Sequence, residues 1–215
     1  VFVSDTGAIK KKYKEVLLNN EIEFEENQHT EAKILNADLV MKSPGIPDHV
    51  PLVVELKKTA IPVISEIEFA SQFTEVKIVG ITGSNGKTTT AMLTHHVLNA
   101  GSLNIGLAGN IGDSFATQVA HQQYESYVLE LSSFQLDGIE KFAPHIAIIT
   151  NITPDHLDRY DYDFNKYIDS KFRITKNQTN NDYLIYDADD EASNKWLKEH
   201  TTRAQLIPFS VEREL

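Results

Sequence analysis

Residues Val76–Thr90 read VKIVGITGSNGKTTT, and this stretch decides how the rest of the chain is read. Val76–Thr82 is apolar at nearly successive positions, the pattern of a strand covered on both faces. It runs directly into Gly83-Ser84-Asn85-Gly86-Lys87-Thr88-Thr89, and helical spacing follows over Thr88–Ala100. Strand, glycine-rich loop, Lys-Thr and helix in that order form the context a phosphate-binding loop requires. Gly83 and Gly86 permit backbone conformations closed to other residues, so successive N–H groups can turn inward on a phosphate. The N-terminus of the next helix adds partial positive charge. Lys87 would reach the β- and γ-phosphates, and the Thr88 hydroxyl would bind Mg²⁺. The spacing is a variant: the strict loop needs a glycine five residues before Gly86, where Ile81 stands. A glycine-rich turn before an ordinary helix is the plainer alternative, but the coincidence of all four features favours nucleotide phosphate.

Around this loop, short apolar runs alternate with amphipathic stretches. Val1–Ser4, Asp38–Lys42, Pro62–Ser65, Leu103–Leu107, Tyr127–Ser132, Ile146–Asn151, Tyr183–Tyr186 and Gln205–Phe209 read as strands. Ile9–Asn19, Val50–Lys58, Asp163–Lys176 and Asp190–His200 have helical spacing. Alternation of this kind implies βαβ units and an α/β fold with a mostly parallel sheet. Ser65-Glu66-Ile67-Glu68 suits the cap of a short connecting helix and marks a boundary. The expected domains are residues 1–66 and 67–215.

Composition narrows the function classes. The chain has 215 residues, 20 Lys+Arg against 31 Asp+Glu, a net charge of −11, and no cysteine. Zero cysteine excludes a disulfide scaffold, a thiolate metal site and a cysteine nucleophile. The negative balance argues against non-specific nucleic-acid binding. No apolar run approaches the roughly 18 residues of a membrane helix.

Three further segments sit at strand ends, where ligands gather in open parallel sheets. Tyr127-Val128-Leu129-Glu130 ends in a carboxylate suited to Mg²⁺; a solvated strand-end glutamate is the bland reading. Asn151-Ile152-Thr153-Pro154-Asp155-His156-Leu157-Asp158-Arg159 gathers two aspartates and a histidine, which suggests a metal or phosphate site, although such a histidine is more often structural. Gly109-Asn110-Ile111-Gly112 follows another strand and could be a plain turn. Lys171, within Tyr167–Ile174, is unremarkable by itself, because a solvated helix-surface lysine is the default.

Taken together, G-S-N-G-K-T-T, E-L-S-S-F-Q-L (Glu130–Leu136), N-I-T-P-D-H-L-D-R and K-F-R-I (Lys171–Ile174) resemble the Mur ligase family, in its D-glutamate-adding branch. The resemblance implies a partial Rossmann-like N-terminal domain followed by a P-loop-type central ATPase domain. It implies an ATP-dependent amide ligase that joins D-glutamate to UDP-N-acetylmuramoyl-L-alanine through an acyl phosphate, in peptidoglycan synthesis. Phosphate binding falls to Gly83–Thr89. Thr88 and Glu130 are expected to hold one Mg²⁺, His156 and Lys171 a second. The lysine is expected to react with CO₂ to give a carbamate. Thr6, Gly45 (within Ser43-Pro44-Gly45-Ile46), Asn110 and Ser132 are expected to meet the UDP-sugar substrate. Lys87, His156 and Lys171 carry the chemistry. A cytoplasmic monomer is expected, with neither nucleic acid nor membrane as partner.

The same resemblance lacks a counterpart for the family's opening strand and glycine-rich loop and for its third domain, so a fragment is expected, inactive by itself. Two alternatives stay open: another Mur ligase or a folylpolyglutamate synthase-like ligase, and a non-catalytic nucleotide- and precursor-binding module. A P-loop kinase or GTPase ranks lower, because the loop spacing differs and no N-K-x-D motif is present.

Overall fold

The computed structural model describes residues 1–212 and Glu214. The chain divides into two compact units, Val1–Val40 with Asp48–Val63, and Met41–Pro47 with Ile64–Leu215.

The first unit opens with β1 (Phe2–Ser4), α1 (Lys11–Asn19), β2 (Glu23–Glu25) and α2 (Glu31–Ile34). β1 and β2 are parallel, with Val3 opposite Phe24, and α1 supplies the crossover that a parallel pair needs. β2 is absent from the sequence reading because its glutamates break any apolar run. Those carboxylates are put to use: Glu25 accepts from the Ser4 hydroxyl at 2.7 Å and the Thr30 N–H at 2.6 Å. β3 (Val40–Met41), α3 (Pro51–Lys58) and β4 (Val63–Ile64) follow, and β3 and β4 form a separate two-stranded pair. α3 begins at a proline, whose missing N–H costs nothing at a helix start. It buries Val53 and Leu56, three residues apart on one face.

The second unit holds α4 (Glu66–Ser71), β5 (Lys77–Thr82), α5 (Lys87–Ala100), β6 (Ile105–Gly109), α6 (Phe115–His121), β7 (Ser126–Glu130), α7 (Ser133–Asp137), β8 (Ile146–Ile149), α8 (Phe164–Phe172), β9 (Tyr183–Asp187), α9 (Glu191–Glu199) and β10 (Gln205–Phe209). Its sheet has six strands in the order β10-β9-β8-β5-β7-β6, and every pairing along it is parallel. The expected α/β class with a parallel sheet is what the chain forms. Apolar residues at the sheet centre explain it: Ile81, Val128, Leu129, Ala147 and Ile149 are all fully buried. β10 is exposed along its length and contains Pro208, as befits an edge strand.

The strand order places β5 between β7 and β8. Connections from β5 lead outward to β6 and return through β7, whereas β8, β9 and β10 build the other side. The crevice of such a sheet opens at the carboxyl end of the strand where the order reverses, here β5. Register brings Ile81 opposite both Glu130 and Ile148, and Gly109 opposite Glu130. The ends of three strands therefore meet beside the phosphate loop.

α4 has the expected cap, the Ser65 hydroxyl accepting from the Glu68 N–H at 3.3 Å. Glu68 does not reach back to complete a capping box. Its carboxylate is 1% exposed and accepts from the backbone N–H groups of Glu140 at 2.9 Å, Lys141 at 3.0 Å and Phe142 at 2.8 Å. A buried anion thereby satisfies three donors of the turn that leads into β8.

Candidate active site

The phosphate loop is held from below by the segment after β8. Ser84 N–H donates to Asn151 O at 2.8 Å and Asn85 N–H to Asn151 Oδ1 at 3.0 Å. Thr150 Oγ1 donates to Asn85 O at 2.7 Å, and Ser84 Oγ exchanges bonds with Thr153 O at 2.9 Å and Thr153 N–H at 3.0 Å. Two loop N–H groups are thus spent on Asn151, which leaves the first turn of α5 as the main donor set. Gly86 is the N-cap, at φ +80°, and the N–H groups of Lys87, Thr88 and Thr89 lie where a helix has no internal acceptor. Gly83, at φ +142°, has no alternative: a Cβ there would stand 2.0 Å from Thr150 Oγ1. Lys87 folds back over its own loop, with Nζ donating to Ser84 O at 2.9 Å.

Glu130 is the hub beside this loop. It is 1% exposed and accepts from Thr88 Oγ1 at 2.7 Å through one oxygen and from Asn110 Nδ2 at 2.8 Å through the other. Asn110 N–H also donates to Glu130 O at 2.8 Å. Thr88 in the first turn of α5, Glu130 at the end of β7 and Asn110 just after β6 are therefore one bonded group.

Lys171 departs from the default of a solvated surface lysine. It is 2% exposed, with Nζ donating to Gly83 O at 2.8 Å and lying 4.8 Å from the centroid of the Tyr167 ring. Burial, and next the nearby charge of Lys87, push its pKa down to about 7. At neutral pH a large share of it is the free amine. Tyr167, one helical turn earlier, sits 3.2 Å from Ser84 Oγ through its hydroxyl, and burial raises its pKa. The i, i+4 spacing of Tyr167 and Lys171 on one helix face was the signal that could have singled out this tyrosine.

A cavity of about 300 Å³ collects Gly45, Lys87, Asn110, Ser132, His156 and Lys171, together with Pro44, Ser133, Phe134, Asp155 and Tyr167. Ser132 caps α7 in a reciprocal box with Gln135, accepting from Gln135 N–H at 3.2 Å while donating to its side chain. His156 adopts φ +49° and is exposed, its Nε2 3.5 Å from Asp155 Oδ2 and its ring 5.4 Å from that of Phe134. Thr6 belongs to the first unit, where it is an exposed residue of the loop after β1. Asn151, Thr153, Tyr167 and Phe134 were not singled out from sequence, since polar loop residues and aromatics carry no local mark of what they touch.

Among the described residues no cluster of three His, Asp or Glu side chains could hold a metal ion. The paired oxygens of Thr88 and Glu130 do fit a hard cation that keeps waters and phosphate oxygens as its other ligands. The amine of Lys171 does not fit as a ligand in its unmodified form.

The Mur ligase middle domain matches residues 81–215, and the MurD N-terminal domain matches residues 1–51. Over its full length the chain is 61% identical to the UDP-N-acetylmuramoylalanine--D-glutamate ligase of Christiangramia forsetii. It is 54% identical, over 99% of its length, to the protein of the same name from Bacteroides thetaiotaomicron. It covers 48% of each, so the chain spans about half the length of these curated relatives. Among solved structures, UDP-N-acetylmuramate:L-alanyl-gamma-D-glutamyl-meso-diaminopimelate ligase from Neisseria meningitides shares the fold, with a TM-score of 0.64 over 96% of this chain and 69% of that one, at 16% identity. With a phosphate loop at the sheet's switch point, and a family match over the residues that build it, the chain belongs to the Mur ligase family.

Proposed function

We propose that the protein carrying this segment is an ATP-dependent amide ligase that adds D-glutamate to UDP-N-acetylmuramoyl-L-alanine in peptidoglycan synthesis. The observation that carries this reading is the shared cavity: the phosphate-loop lysine, Lys87, opens onto the same space as Asn110, Ser132 and Gly45. A triphosphate tail and a carboxylate bound there would be neighbours. The relatives at 61% and 54% identity are named for this reaction.

The chemistry follows from the need for a leaving group. A carboxylate does not condense with an amine in water, because oxide leaves poorly. Attack of the carboxylate on the γ-phosphorus of ATP breaks the bond to ADP and forms an acyl phosphate. The amine of D-glutamate then attacks the acyl carbon, phosphate departs, and the amine gives up a proton. Gly83, Ser84, Asn85, Gly86 and Thr89 shape the seat of the phosphates, and Lys87 balances charge on the transferring group. Thr88 and Glu130 would hold Mg²⁺, which neutralises phosphate charge when bound. Asn110, Ser132, Gly45 and Thr6 would orient the precursor.

Lys171 is suited to a different task. Buried, and with a pKa of about 7, its free amine can add to CO₂, releasing one proton and giving a carbamate. That group would turn a poor cation neighbour into an oxygen ligand, beside His156, for a second Mg²⁺. A carbamate resonance from ¹³CO₂, lost on Lys171→Met, is the expected signature. Residues 1–66 serve as the precursor-binding part and 67–215 as the ATP-binding part. The enzyme works as a cytoplasmic monomer, and no helix among the described residues is long and apolar enough to cross a membrane.

The test is an acceptor screen. Full-length protein given ATP and UDP-N-acetylmuramoyl-L-alanine should release phosphate with D-glutamate and not with L-glutamate, glycine or meso-diaminopimelate. Release with another amino acid alone would move the protein to a different branch, and release with none would reject the ligase reading.

A further inference from the structure

Arg159 lies three residues after His156, at the end of a short 3₁₀ turn, Leu157–Arg159. Its guanidinium reaches across 115 residues of sequence to the Pro44–Ile46 loop. One terminal nitrogen donates to Pro44 O at 3.2 Å and Ile46 O at 3.4 Å, and the other to Gly45 O at 3.4 Å. The same guanidinium rests 4.3 Å from the centroid of the Phe134 ring, which also lies against the His156 imidazole and the Tyr160 ring. Pro44, Gly45, Phe134 and His156 all line the cavity, and all belong to the second unit.

One side chain therefore sets two walls of the site. A planar, five-donor fork can gather three consecutive carbonyls while stacking on a ring, and an ammonium cannot. Lys42 Nζ adds a single bond to Ile46 O at 2.7 Å, and Ile46 N–H closes back on Ser43 O at 3.0 Å. The phosphate loop, by contrast, is fixed by Thr150, Asn151 and Thr153, and none of those bonds involves Arg159.

We propose that Arg159 is a positioning residue for the nucleoside-diphosphate-sugar substrate: it holds the Pro44–Ile46 loop and the Phe134 ring in the arrangement that receives this substrate, and leaves the ATP seat alone. The inference rests on the ligase reading for its substrate, and on hydrogen bonds of this structure for the clamp.

Two variants of the full-length protein test it, Arg159→Met, which keeps the apolar stem, and Arg159→Lys, which keeps the charge. Steady-state kinetics should show the KM for UDP-N-acetylmuramoyl-L-alanine raised about tenfold in Arg159→Met, the loss of about 1.4 kcal/mol. Arg159→Lys should fall between, with the KM for ATP unchanged in both. Amide hydrogen exchange at Gly45 and Ile46 should quicken in the same order. Unchanged exchange and precursor KM in both variants would overturn the proposal, as would a parallel rise of the KM for ATP, the mark of general disruption. Exchange is read without turnover, so the clamp is judged even if wild-type protein ligates nothing, an outcome that would reject only the ligase reading.

Discussion

The Nζ atom of Lys171 lies 2.8 Å from the carbonyl oxygen of Gly83, the first residue of the phosphate loop. The contact ties α8 to the end of β5, and the lysine is out of water there. Its pKa falls from an ordinary 10.5 to about 7, first through burial and then through the charge of Lys87.

A pH dependence of stability follows. Between about 7 and 10.5 the unfolded chain holds a proton on Lys171 that the folded chain has released, so stability rises with pH over this window. The cost of the buried charge is complete below about 7 and gone above 10.5. Lys171→Met removes that charge. In CO₂-free buffer, urea unfolding of the full-length protein should therefore place the variant highest relative to wild type at pH 6, with the gap narrowing by pH 9. A gap that does not change with pH would show that Lys171 is not desolvated as described.

The two loop glycines should respond differently to alanine. At Gly83 a Cβ would meet Thr150 Oγ1 at 2.0 Å and Asn151 O at 3.0 Å, whereas at Gly86 nothing lies within 4 Å and only the φ of +80° is unfavourable. Gly83→Ala should abolish measurable ATP binding by calorimetry. Gly86→Ala should fold and bind, at a strain cost of roughly 1–2 kcal/mol. Equal losses in the two variants would mean that steric room at the base of the loop is not what decides.

How much of this was legible beforehand depended on whether a residue's role is local. Val76–Thr90 announced strand, loop and helix because all three are short-range patterns, and the buried strands β5 and β8 declared themselves by unbroken apolar runs. Boundaries slipped where polar residues changed function at an element's end. Tyr127–Ser132 reads as one strand, yet β7 stops at Glu130 because Ser132 has become the cap of α7. Asp163–Lys176 reads as one helix, but α8 ends at Phe172 and a 3₁₀ turn, Arg173–Thr175, follows. Leu103–Leu107 is shifted to Ile105–Gly109. Lys171 and Glu68 were least legible of all. Each is a charged residue whose burial depends on partners far along the chain, Gly83 and Glu140–Phe142, and no window of sequence holds both ends.

Glu68 supports a stability prediction. Truncation by Glu68→Ala leaves three N–H groups of the Glu140–Phe142 turn without their acceptor. The expected loss is about 3 kcal/mol, read as a lower urea midpoint. Glu68→Gln, which keeps one acceptor oxygen, should lose less. A loss below about 0.5 kcal/mol in Glu68→Ala, the range of a surface change, would show that this turn is satisfied by other means.

Phosphate release by the full-length protein and by its Lys87→Ala variant, each with ATP, UDP-N-acetylmuramoyl-L-alanine and D-glutamate, tests the central claim most directly. Removing the one cation that the loop brings to the transferring phosphoryl group should lower kcat by about a thousandfold or more, with the unfolding midpoint held near that of wild type. Release at an undiminished rate from a folded Lys87→Ala protein would contradict the assignment of this loop as the site that energises the carboxylate.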